Sequence, residues 1–104
     1  LRTAFGWSDE VAAREIRAPG GMKVKAFVAD LSCQAEVRRL ASEVHDGLPR
    51  IDVLVNNAGG YWDTRHVTVD GLERTVAVNH LAPFLLTNLL LDRLRASAPS
   101  RIVT

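Results

Sequence analysis

Apolar and polar residues along this chain alternate in blocks that predict a regular succession of helices and strands. Residues 23–30 alternate with a period of two, which is typical of a strand. The next apolar residues recur at helical spacing, at Val37, Leu40, Ala41 and Val44. The full predicted order is a helix after Ser8, the strand 23–30, a helix capped by Ser32 and ended by Gly47 and Pro49, a strand over 51–55, a helix over 68–96 and a strand over 100–104. This order predicts an α/β protein with right-handed crossovers.

The strand 51–55, with the sequence IDVLV, ends on two asparagines and two glycines within residues 56–60. The strand is apolar on both faces, which predicts a parallel strand with helices packed above and below it. Ligands bind beyond the carboxyl ends of such strands. Ala58 and Gly59 let a flat ligand approach the main chain, and an asparagine amide both donates and accepts. These features predict a binding cleft, with a plain Asn-Gly turn as the alternative.

The predicted helix 68–96 carries an apolar stripe that an amide and a proline interrupt. The stripe consists of Leu72, Val76, Asn79, Pro83, Leu86 and Leu90. Because Pro83 lacks an N–H, it cannot donate to the carbonyl of Asn79 in the preceding turn. That carbonyl is therefore predicted to hold a water or another polar group. The alternative is a structural kink in which Asn79 bonds a neighbouring strand.

Composition excludes several classes of protein. The chain has 104 residues, a length that fits one domain at most. Hydrophobic residues make up 47% of it, which is enough to form a buried core. Its net charge of +1 argues against nucleic acid as a partner. Cys33 is the only cysteine, which favours a reducing, cytoplasmic setting. The most apolar stretch, 81–94, is shorter than the ~20 residues of a membrane span. The histidines and Cys33 lack the spacing of metal ligands, so no metal site is predicted.

Three stretches resemble the short-chain dehydrogenase/reductase family. They are NNAG at 56–59, ADLS at 29–32 and VNHLAPFLLTNLL at 78–90, the last being similar to the retinol-dehydrogenase-like branch. The resemblance covers about residues 12–104. It implies a Rossmann-like doubly wound parallel sheet, present only in part, as a partial NAD(P)-binding domain over 1–104. The implied activity is hydride transfer between nicotinamide and a small-molecule carbonyl or alcohol, with NADP favoured over NAD.

The same resemblance implies roles for individual residues. Asp30 would contact the adenine amino group, and Leu31 would offer a backbone contact beside it. Asn57, Ala58 and Gly59 would line the adenosine ribose. Asn79 would belong to the catalytic set of Asn, Ser, Tyr and Lys, with its main-chain carbonyl holding a water in the proton relay. The family often dimerises through the helix that carries 81–94, which makes a homo-oligomer an expectation.

Two elements of the family pattern have no counterpart in these residues. Gly20 and Gly21 precede a strand and cannot form the glycine-rich phosphate turn. Tyr61 has Arg65 where the family's Tyr-x-x-x-Lys has its lysine. The chain is therefore interpreted as an internal fragment, inactive alone. Because 23–30 and 51–55 would not be neighbours in the family's sheet, the isolated chain is expected to be molten or aggregation-prone. The alternatives are a non-catalytic nucleotide-binding or regulatory relative, and a helical interaction module over 68–96.

Overall fold

Two short parallel strands and the helices around them form the part of the chain that the computed structural model describes, residues 25–104. The helix predicted after Ser8 and the first two residues of the predicted strand 23–30 lie outside the described residues. In chain order the elements are α1 (Gln34–Gly47), β1 (Val53–Val55), α2 (Arg74–Val76), a π turn (Ala77–Leu81), α3 (Ala82–Leu89), α4 (Leu91–Ala96) and β2 (Arg101–Val103).

The two strands pair in parallel, with Leu54 opposite Ile102 at the centre of the register. Backbone hydrogen bonds continue the pairing at both ends. The amide of Arg101 donates to the carbonyl of Asp52 at 2.8 Å. The amide of Asn56 donates to the carbonyl of Val103, also at 2.8 Å. Parallel strands need a crossover connection, which the helices after β1 supply. The predicted parallel α/β arrangement is confirmed for β1 and β2.

The core lies on one side of β1. Its fully buried members come from α1, the strand entrance and the last helices, and they are Ala41, Ile51, Leu90 and Leu94. Leu54 packs against them. Val53 and Val55 point the other way and are 54% and 58% exposed. The prediction of a strand covered on both faces is therefore wrong for the described residues, because their helices pack on the Leu54 side only.

Residues 25–30 do not form a strand, contrary to the period-two pattern. A strand needs a ladder partner, and within residues 25–104 β1 and β2 pair with each other. Side chains hold this segment against α1 instead. The Lys25 ammonium donates to the carbonyl of Gly47 at 2.9 Å, and the Arg39 guanidinium donates to that of Val28 at 2.7 Å.

Helix α1 follows the predicted spacing, since its buried residues are Val37, Leu40 and Ala41 and it ends at Gly47. Its predicted cap is wrong. The N-cap residue is Cys33, whose side chain makes no capping bond. The free amide of Gln34 instead donates to Oδ2 of Asp70 at 2.8 Å, while the Ser32 hydroxyl bonds Asp30. Because Asp70 is 36 residues away from Gln34, the sequence near the start of α1 does not indicate this cap.

The predicted continuous helix 68–96 is divided into pieces. Residues 68–72 form a turn around Gly71, which has a φ of 75°, and Glu73 caps α2 by accepting from the amide of Thr75 at 2.7 Å. The chain breaks again at Leu90, with φ −97° and ψ 1°. The predicted stripe is also wrong in part, since Val76 is 49% exposed. The π turn shifts the register, so that the buried residues are Ala77, Ala82, Leu90 and Leu94.

Candidate functional site

A cavity of about 440 Å³ opens at the carboxyl end of β1, between the loop that precedes α1 and the loop that follows the strand. Four of the predicted cofactor-binding residues line it, namely Asp30, Leu31, Ala58 and Gly59. They come from two separate stretches of the chain, the loop that precedes α1 and the loop that follows β1. The other lining residues include Ala29 and Ser32 of the stretch ADLS and Val78 of VNHLAPFLLTNLL. Trp62, His66 and Arg74 complete the lining, and the sequence predicts no site role for them.

Two predicted site residues lie beside the cavity and do not line it. Asn57 is exposed. Asn79 is also exposed and lies in the π turn. The neighbouring Asn56 faces α3, where its side-chain Nδ2 donates to the hydroxyl of Thr87 at 3.1 Å. The three polar residues thus have separate environments, and only Asn56 ties the end of β1 to α3.

Asp30 shapes one wall of the cavity through a local turn. Its Oδ1 accepts from the amide of Ser32 at 2.9 Å and from the Ser32 hydroxyl at 2.7 Å. Its carbonyl accepts from the amide of Cys33 at 3.2 Å, immediately before α1. Such side-chain bonds to the following backbone fix an aspartate at a helix entrance. The carboxylate is therefore held at the cavity wall, where it can accept from an amino group.

The side chain of Asn79 holds the opposite loop in place. Its Oδ1 accepts from the amide of Gly60 at 2.8 Å, and its Nδ2 donates to the carbonyl of Gly60 at 2.8 Å. The apolar stripe predicts that the amide of Asn79 is buried, and this prediction is wrong. The residue is exposed, and its side chain is hydrogen-bonded to Gly60. A Cβ on Gly59 would lie 3.1 Å from Oδ1 of Asn79, so the loop approaches the π turn closely.

The π turn itself agrees with the predicted interruption near Pro83. The amide of Ala82 donates to the carbonyl of Ala77, a wider spacing than that of an α-helix. Pro83 has no N–H for the carbonyl of Asn79. The predicted break in the regular helical ladder is confirmed, while the role of the Asn79 carbonyl stays a prediction.

Trp62 and Arg74 form a second wall of the cavity. The guanidinium carbon of Arg74 lies 4.5 Å from the centroid of the Trp62 ring. The ring also covers Gly60, where a Cβ would lie 2.5 Å from it. The sequence predicts no role for Trp62, which directly follows Tyr61. An aromatic residue just after a glycine pair was the signal that could have found it.

The carboxyl groups whose pKa is lowered do not line the cavity. The hydrogen bond from Arg39 lowers the pKa of Glu36, and that from Arg50 lowers the pKa of Asp52. His45 lowers the pKa of Asp92 in the same way. The formal charges that line the cavity are the Asp30 carboxylate and the Arg74 guanidinium.

Within residues 25–104, no group of three or more His, Cys, Asp or Glu side chains is placed to hold a metal ion. None of the helices in this described range is long and apolar enough to span a bilayer. The side chains that line the cavity offer hydrogen bonding, stacking and charge.

A family model described as short chain dehydrogenase matches residues 5–104. The chain belongs to the short-chain dehydrogenase family. It is 45% identical over 95 residues to human retinol dehydrogenase 13, covering 90% of this chain and 29% of that relative. This supports the predicted similarity to the retinol-dehydrogenase-like branch.

Two solved structures of this family share the fold. Pseudomonas aeruginosa RhlG, in an active-site complex with NADP, matches 88% of this chain with a TM-score of 0.73 and 36% identity. The NADH-dependent reductase A1-R′ of alginate metabolism matches 95% with a TM-score of 0.69 and 27% identity. The predicted Rossmann-like α/β fold, present in part, is thereby confirmed. The chain spans 38% and 40% of these two structures, and less than a third of the human relative's length.

Proposed function

We propose that this chain is the adenosine-binding part of an NAD(P)-dependent short-chain oxidoreductase. The intact enzyme would transfer a hydride between nicotinamide and the carbonyl or alcohol carbon of a small molecule. The single observation that carries the proposal is the convergence of Asp30, Leu31, Ala58 and Gly59 on one cavity beyond β1. The family membership and the NADP and NADH named for the related structures support it.

The cavity residues fit the adenosine half of such a cofactor. The cavity volume of about 440 Å³ lies in the range of small-molecule sites, roughly 300 to 1,000 Å³. Asp30 would accept from the adenine amino group beside the backbone of Leu31. Ala58 and Gly59 would admit the ribose to the main chain, with Asn57 at the rim. When bound, the cofactor supplies the hydride or accepts it, and NADP is the proposed cofactor, with NAD as the alternative.

Asn79 would contribute in two ways. Its side chain holds Gly60, and with it the loop that carries Ala58 and Gly59. Its main-chain carbonyl, to which Pro83 cannot donate, would hold a water that passes protons to and from the reacting centre. The support for this role is the π turn at Ala77–Leu81, since π turns occur frequently at functional sites.

The remaining chemistry would come from residues outside this sequence. The 104 residues contain neither the family's glycine-rich turn nor its Tyr-x-x-x-Lys segment. We therefore propose that the chain is an internal fragment that is inactive alone and acts within a longer protein. That protein would be cytoplasmic. It would also form a homo-oligomer, for which the 63% exposed ring of Phe84 on the apolar helix α3 offers contact area.

The test is binding of NADP⁺ to the full-length protein by isothermal titration calorimetry. Ala58→Leu places a larger side chain in the cavity and is expected to weaken binding about tenfold or more. Ala96→Leu, at an exposed position of α4, is the matched control and leaves binding unchanged. A wild-type protein that binds neither NADP⁺ nor NAD⁺, or equal binding by Ala58→Leu, overturns the proposal. Binding without any turnover of carbonyl substrates would favour the non-catalytic relative.

A further inference from the structure

The pair formed by Trp62 and Arg74 has no assigned role, although both side chains line the same cavity as Asp30. Arg74 holds a positive charge there, and no carboxylate of residues 25–104 forms an ion pair with it. Within residues 25–104, its guanidinium takes part in no ion pair or hydrogen bond, and its Nε is buried without a partner. Its contact with the Trp62 ring, at 4.5 Å, is what positions it. An arginine placed in this way keeps hydrogen-bonding capacity for a ligand.

The backbone fixes both members of the pair. Arg74 opens α2, and its amide donates to the carbonyl of His66 at 2.8 Å. A single antiparallel bridge joins Val67 to Glu73 directly before it. Trp62 is held at the other end of the same loop, because its ring lies over Gly60. Gly60 is in turn bonded to Asn79. The pair is therefore tied to the π turn and to the strand loop.

The chemistry of the cavity selects a particular type of ligand group. On one wall the Asp30 carboxylate accepts hydrogen bonds, and on the other the guanidinium donates them and offers a flat cationic face. A planar heteroaromatic ring with an exocyclic amino group and ring nitrogen acceptors satisfies both walls. Guanidinium and indole groups also stack on nucleobases. Adenine combines all of these properties.

We propose that Arg74, positioned by Trp62, contacts the adenine ring and contributes directly to base recognition. This rests on the proposed function, since it assigns further contacts to the same cofactor site. Neither residue belongs to the stretches NNAG, ADLS and VNHLAPFLLTNLL. Trp62 lies in the loop between β1 and α2, and Arg74 is the first residue of α2.

The experiment compares three probes on the full-length protein by calorimetry, namely adenosine, 5′-AMP and 2′,5′-ADP. Arg74→Met removes the donors and the charge and keeps an unbranched side chain. The variant is expected to weaken the binding of all three probes equally, about tenfold. Arg65→Met is the control, because Arg65 is an exposed arginine of the same loop that does not line the cavity. The control leaves all three affinities unchanged.

A loss confined to 5′-AMP or 2′,5′-ADP would place Arg74 on a phosphate and overturn the proposal, as would a change below about twofold. A second measurement does not depend on the Arg74 variant. Adenosine binding is expected to change the tryptophan emission of the wild type, and Trp62→Phe reduces that change. An emission change of the same size in the wild type and in Trp62→Phe contradicts the proposal. If the wild type binds none of the probes and neither NADP⁺ nor NAD⁺, the proposed function itself has failed.

Discussion

Asn79 and Gly60 exchange two hydrogen bonds of 2.8 Å across a separation of 19 residues: the Gly60 amide donates to Oδ1 of Asn79, and Nδ2 of Asn79 donates to the Gly60 carbonyl. This exchange links the π turn to the loop that follows β1. The loop carries Ala58 and Gly59 into the cavity, and Trp62 covers it from the far side. The side chain of Asn79 therefore helps to position one wall of the cavity.

Removing this link gives the first prediction. Asn79→Ala is expected to lower the free energy of unfolding by about 1 to 2 kcal/mol, since two hydrogen bonds are lost. Hydrogen exchange of the Gly60 amide should accelerate, because its acceptor is gone. Asn88→Ala is the matched control. Asn88 donates to the carbonyl of Phe84 at 2.8 Å on the same helical segment and does not bond the loop. Equal exchange of Gly60 in both variants would contradict this account of the loop.

The distant cap of α1 gives the second prediction. Asp70 accepts from the amide of Gln34 at 2.8 Å, so it performs the task of an N-cap residue from a separate loop. Asp70→Ala is expected to cost about 1 kcal/mol of stability and to fray the first turn of α1. Asp63→Ala, at an exposed position of the loop before α2, is the control. Urea unfolding of both variants measures the difference, and an equal midpoint for the two would refute the capping role.

Acid titration gives the third prediction. The arginine bonds hold the pKa of Glu36 and of Asp52 below their ordinary values of 4.5 and 3.8. Because the folded pKa is the lower one, the contribution to stability is present above those ordinary values. It is lost as the pH falls through the folded pKa. Both pairs are exposed, so the effect is small and salt-sensitive.

The measurement for this effect is the melting temperature between about pH 7 and about pH 3. Arg39→Met combined with Arg50→Met is expected to reduce the stability lost on acidification, because the carboxyls then titrate closer to their ordinary values. Arg38→Met, on the exposed side of α1, serves as the control. An identical acid profile for the wild type and the double variant would show that these pairs contribute nothing.

Local chemistry explains which features the sequence could predict. The spacing of Val37, Leu40 and Ala41 is enough to predict α1, because a helix buries one face whatever element covers that face. Pro83 is enough to predict an irregular turn near Asn79, because a missing N–H is a property of one residue. The convergence of 29–32 and 58–59 was implied by the family resemblance, which assigns both stretches to one cofactor site.

Features that depend on distant contacts were not predictable in this way. Nothing near Gln34 indicates that Asp70 caps it. The apolar run of β1 gives no sign that Val53 and Val55 remain exposed, because burial depends on which helices pack on each face. The pairing of Trp62 with Arg74 required the loop conformation, including the positive φ of Gly71.

The central claim is that the cavity beyond β1 holds the adenosine half of a nicotinamide cofactor. The most direct measurement is a crystal structure of the full-length protein with NADP⁺. We predict the adenine amino group within hydrogen-bonding distance of the Asp30 carboxylate, with the ring between Ala58 and Arg74. An adenine ring bound elsewhere on the protein, with this cavity filled only by water, would contradict the claim.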